Sequence, residues 1–103
     1  MTVAPYVEAP TAKWLREFWR MMHTVRGRYP MFQIPKIEFV DTGLPVEADT
    51  ERWVLVICPD FHQNVKYHLV RELTILLAYH CSGKVMNPRH KLYREIRSLL
   101  EQT

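Results

Sequence analysis

Residues 64 to 80 read NVKYHLVRELTILLAYH, the longest helical pattern in the chain, and the other elements read as pieces that pack on it or cover it. With about 100° between successive side chains, Leu69, Leu73, Leu76, Leu77 and His80 fall on one side with Val70 nearby, the apolar stripe of a helix facing a core. Asn64 is placed to cap this helix, and Ser82 with Gly83 to end it. The opposite side gathers His68, Arg71, Glu72, Ile75 and Tyr79. A histidine and a glutamate four residues apart thus share a face with an arginine and a tyrosine, and pocket chemistry is expected there.

Beyond the helix, KVMNPRHKLYREIRSLLEQT (84 to 103) offers Asn87 as a cap and Pro88 at the first helical position. Leu92, Tyr93, Ile96, Leu99 and Leu100 then recur at helical spacing, which predicts a further helix with His90 in its first turn. On the other side, RWVLVICPDF (52 to 61) is apolar on both faces from Trp53 to Cys58 and stops at Pro59, the mark of a buried strand. FQIPKIEFVDTG (32 to 43) alternates Ile37 and Phe39 with Lys36 and Glu38, and reads as a half-exposed strand closed by turn residues Asp41 to Gly43. Pro35 puts it at a sheet edge. These two strands are expected to pair, with a short third strand around Leu44 to Val46.

Upstream, Trp14, Leu15, Phe18, Met21, Met22 and Val25 repeat at helical spacing from Thr11, read as a cap, until Gly27 and Pro30. Residues 1 to 10, with Pro5 and Pro10, read as a leader that docks at most through Val3, Tyr6 and Val7. The expectation is an α+β fold: an N-terminal helix, a small, mostly antiparallel sheet of two or three strands, then two C-terminal helices, forming a single domain over residues 11–103.

A chain of 103 residues suits one core. Apolar residues make up 48% and charged residues 24%, and the aromatics (three Trp, five Tyr, four Phe) argue against disorder. Fourteen Lys plus Arg against eleven Asp plus Glu give a net charge of only +3, which permits a nucleic-acid partner without requiring one. Nothing reads as an export signal or a membrane-spanning run, so Cys58 and Cys81 are expected as reduced thiols in the cytoplasm, with no membrane partner. There is no CxxC, no GxSxG and no glycine-rich phosphate loop.

The order of elements, with RELTILLAYH (71 to 80) on the central helix and PRHKLYREI (88 to 96) after it, resembles the SprT-like zinc metalloproteases. In that family a helix and a small sheet precede a helix bearing HExxH, and a third histidine opens the next stretch. The resemblance spans Thr11 to Leu100 and implies a minimal zincin-like domain. Laid on this sequence, Arg71 stands at the first histidine's place, Glu72 at the glutamate's, Ile75 at the second histidine's and His90 at the third's, nineteen residues after Arg71. Arginine is a permanent cation and isoleucine has no lone pair, so neither replaces a zinc ligand. The resemblance therefore implies a pseudoprotease with Glu72 as the remnant general base, no catalytic residues and no resident metal.

The leading expectation is a non-catalytic protein that binds, inhibits or adapts another protein through His68, Arg71, Glu72, Tyr79 and His90, a small scaffold that would suit a phage or mobile element. A first alternative keeps a relocated zinc site, with His68, Glu72 and His90 as ligands of a metal-dependent hydrolase. A second alternative is a nucleic-acid-binding module in which Arg16, Arg20, Arg26 and Arg28 of the first helix, with Trp19 and Tyr29, form a basic-aromatic surface. Partner identity and oligomeric state are not legible in the residues.

Overall fold

The computed structural model describes residues 9–103, so the leader's contacts through Val3, Tyr6 and Val7 lie outside the described residues. Six elements follow in order: α1 (Pro10–Arg28), β1 (Lys36–Phe39), β2 (Val46–Asp49), β3 (Val54–Ile57), α2 (Val65–Ser82) and α3 (Lys91–Glu101). The architecture is α+β, with a three-stranded sheet between the first helix and the two C-terminal helices along the chain.

The strand order is β1-β3-β2. β2 pairs antiparallel with β3, from Val46 opposite Ile57 to Asp49 opposite Val54, whereas β1 pairs with β3 in parallel, from Lys36 beside Val54 to Phe39 beside Ile57. The sheet is therefore mixed rather than mostly antiparallel. Sequence-adjacent β1 and β2 run in opposite directions but do not touch, because β3 inserts between them. The reason lies in the side chains. β3 has no polar residue and is the strand best suited to pairing on both edges, while β1, which follows Pro35, and β2, which carries Glu47 and Asp49, tolerate edge positions.

Helix starts differ from their sequence reading. α1 begins at Pro10, with Ala9 as an extended N-cap that makes no side-chain cap bond, so Thr11 lies inside the helix. Proline at N1 supplies a pre-set φ where its missing N–H costs nothing. α3 begins three residues later than Asn87 and Pro88 suggest. Asn87 spends its side chain on a local turn, Oδ1 accepting from Arg89 N at 2.8 Å, and His90 is the cap, Nδ1 accepting from Leu92 N at 3.2 Å.

One cluster of buried side chains joins all the layers: Trp14, Phe18, Met21, Met22 and Val25 of α1, Leu55 and Ile57 of β3, Leu69, Leu73, Leu76 and Leu77 of α2, and Ile96 and Leu100 of α3. The apolar stripe of α2 is buried as its spacing predicts, except that His80 is exposed at its edge. There its ring packs against Trp53 and Phe32, with centroids 4.9 and 5.7 Å away. Among the described residues no helix is long and apolar enough to cross a membrane.

Candidate functional site

α2 buries Val65, Leu69, Val70, Leu73, Thr74, Leu76, Leu77 and Ala78. The arc left over at about 100° per residue carries Arg71, Ile75, His68, Tyr79 and Glu72. Arg71 is exposed and the other four are half-buried. This strip is bounded on the Glu72 side by β2 and on the Arg71 side by the approach to α3.

Glu72 is the electrostatic centre of the strip. Its partial burial raises its pKa above the ordinary carboxylate value, and the Glu47 carboxylate on β2 pushes the same way. Arg71 and a hydrogen bond from the backbone of Ala48 oppose the rise without cancelling it. A helix carboxyl thus meets the backbone of an edge strand, beside a guanidinium on its own helix. In this setting Glu72 has an acceptor's geometry and a base's raised pKa, but its one-turn neighbour on the C-terminal side is Ile75, which offers no lone pair.

Arg71 faces a hollow of about 450 Å³ between α2 and α3, whose walls include Lys66, Tyr67, Val70, Pro88, Tyr93 and Arg97. Two of its cations are already engaged: Lys66 Nζ donates to Thr103 O at 2.7 Å and Arg97 Nε to Glu101 Oε1 at 2.9 Å. Arg71 itself interacts electrostatically with Glu72. Helical spacing alone shows Arg71 on an outer face; the wall supplied by Pro88 and Tyr93 depends on how α3 returns, which no local pattern encodes.

The ligand set His68, Glu72 and His90 is not brought together. Among the described residues no group of three His, Cys, Asp or Glu side chains could hold a metal ion. The physical reason is that each histidine has other neighbours. His68 packs edge-on against Tyr67, centroids 5.4 Å apart, and borders the hollow of the β3–α2 connection with Asp60, Phe61 and His62. His90 is held at the N-terminus of α3 by its cap bond. Neither cysteine has the setting of a nucleophile: Cys58 is buried with Sγ donating to Asp41 Oδ1 at 3.5 Å, and burial around the Cys81 sulfur raises its thiol pKa.

The basic stripe of α1 is partly assembled. Arg16 and Arg20 reach Glu17 at 3.6 Å, and Trp19 between them is 52% exposed. Arg26 lines a hollow of about 360 Å³ together with Trp19, Met22, His23, Gly27 and Ile34. Arg28 is not part of this surface. It turns to the other flank, beside Tyr29 and Glu95, where Tyr29 Oη donates to Glu95 Oε2 at 3.2 Å. By sequence His23 reads as an ordinary helix-face residue and the hollow leaves no trace, although the spacing of Trp19, His23 and Arg26 places them on one face.

No protein-family model, curated protein or solved structure matches this chain.

Proposed function

We propose that the chain is a non-catalytic binding protein built on a SprT-like, zincin-like scaffold, and that the strip Arg71, Glu72, Ile75 and Tyr79 of α2 is its contact for a partner protein. The observation that carries this reading is the surrounding of Glu72: a half-buried carboxyl between an edge strand and a guanidinium, with Ile75 one helical turn on. A general base of an HExxH site works on a metal-held water flanked by two imidazoles. Here a fixed cation and an aliphatic side chain stand in those places, an arrangement that pairs with a partner's carboxylate and apolar side chain.

The scaffold reading is tested by rebuilding the motif. The double substitution Arg71→His with Ile75→His creates HExxH around Glu72, and the SprT-like resemblance would supply His90 as the third ligand once it leaves its cap bond to Leu92 N. Zinc titration by calorimetry should give one site per chain in the double variant and none in the wild type. Thermal unfolding should rise with zinc in the double variant alone, by about 2.7 kcal/mol when free zinc stands a hundredfold above Kd. A rebuilt chain that stays folded yet binds no zinc would remove the zincin-like scaffold. Tight stoichiometric zinc in the wild type would overturn the non-catalytic reading.

A further inference from the structure

We propose that the outer face of α1 is a binding surface for single-stranded nucleic acid, with Trp19 as the stacking platform for one base and Arg20 and Arg26 as contacts for flanking phosphates. The proposal stands apart from the reading of the α2 strip and shares no residue with it.

Amphipathic spacing puts Trp14, Phe18, Met21, Met22 and Val25 of α1 into the core. On the opposite arc lie Arg16, Trp19, Arg20, His23 and Arg26. Along the axis, Trp19 to Arg26 covers about 10 Å, or two turns. Glu17 is the one carboxylate on α1 among the described residues, and it sits on the flank, where Arg16 and Arg20 share it at 3.6 Å. Both contacts are long and their arginine ends are more than half exposed, although Glu17 itself is mostly covered, so a phosphate in water can compete with the carboxylate for the guanidinium groups.

Two features set this face apart from an ordinary solvated one. Trp19 leaves 52% of its surface in water, with Phe18 meeting its ring edge-on at 5.4 Å, which leaves its large apolar plane flanked by cations. Beside it is the hollow walled by Trp19, Met22 and Ile34, rimmed by His23 and Arg26, with no acidic residue in its lining. An apolar slot with an aromatic wall and a cationic rim is complementary to an unstacked base carrying a phosphate. A duplex hides its base faces, so single strands are the form this slot fits. Gly27 closes one side, and a Cβ there meets nothing within 4 Å, so a larger side chain can block the slot without disturbing the helix packing.

The test is fluorescence anisotropy of labelled oligo(dT) and oligo(U) with the full chain across a salt series, with tryptophan emission followed in parallel. Binding should weaken with salt with a log–log slope of about −1.4, as for the two phosphates that Arg20 and Arg26 neutralise on a single strand. Emission should be quenched, since Trp14 is buried and Trp19 is not. Trp19→Ala and Gly27→Leu should each lower affinity roughly tenfold, and Arg20→Glu with Arg26→Glu should flatten the salt slope; circular dichroism confirms that each variant is folded. Preference between the two oligonucleotides tells DNA from RNA within the proposal. Absence of binding at low salt, equal binding of duplex DNA, or affinity unchanged in both Trp19→Ala and Arg20→Glu/Arg26→Glu overturns it. Competition by poly-glutamate as effective as by oligo(dT) would also overturn it and assign the face to an acidic protein.

Discussion

Glu72 carries two opposed influences whose balance can be read from pH. Burial and Glu47 favour the neutral carboxyl, while Arg71 and the Ala48 backbone favour the charged one, and the net direction is upward. The folded chain therefore holds the Glu72 proton more tightly than the unfolded chain does. The stability this provides is complete below the ordinary carboxylate range, about pH 4, and is lost as pH rises through the raised folded value. Above that, the charged carboxylate is a liability to the fold. Glu72→Gln keeps an oxygen for Ala48 and removes the titration, so its melting temperature should exceed that of the wild type at neutral pH, with the gap closing in acid. Parallel thermal melts of the two proteins over pH check this. A lower melting temperature for Glu72→Gln at neutral pH would mean that Arg71 and Ala48 outweigh desolvation. Such a residue is kept at a cost to stability, which agrees with a role in contacting a partner.

At the scale of elements, the start of α2 shows how the right residue can hold the right position for a different reason. Asn64 precedes the helix, as a cap should, but it is left-handed (φ 55°, ψ 37°) and makes no side-chain cap bond. Asparagine is tolerated there because its short polar side chain lowers the cost of the left-handed region. Asn64→Gly should consequently match or exceed wild-type stability, and Asn64→Ser, an equal cap by type, should lose about 1 kcal/mol. Urea unfolding separates the two explanations, and equal stability of the Ser variant and the wild type would restore the capping role. The same contrast describes what the sequence made legible. Spacing located all three helices, and the unbroken apolar run from Trp53 to Cys58 located the central strand, because helical periodicity and a continuous β-branched run are both local signals. It could not order the strands: the insertion of β3 between β1 and β2 depends on which edges remain paired once the sheet packs. For the site, the shared face of His68, Arg71, Glu72 and Tyr79 was visible on α2 alone. Glu47 and Ala48 beside Glu72, and Pro88 and Tyr93 opposite Arg71, arrive from other elements and leave no local trace.

Across the whole molecule, both surfaces argued above depend on a core that holds α1, α2 and α3 together. Tyr93, Ile96 and Leu100 of α3 are buried in the same cluster as Trp14 and Phe18 of α1 and Leu73 and Leu77 of α2. α3 is thus not an appendage that could detach and leave the α2 strip intact. Ile96 is fully buried, and truncation to alanine removes its transfer free energy and leaves a cavity, a loss of about 2–4 kcal/mol. Domains of this size have about 5–15 kcal/mol to lose and unfold in one step. Ile96→Ala should therefore lower the midpoint of a single transition, with far-ultraviolet dichroism and tryptophan emission still coincident. Trp14, a reporter on α1, should lose its buried emission at the same denaturant concentration at which the helices melt. If emission instead held while part of the dichroism was lost, α3 would be a separately melting unit. Binding at the Arg71 hollow could then change through docking of α3 alone, and the strip and the α1 face would have independent stabilities.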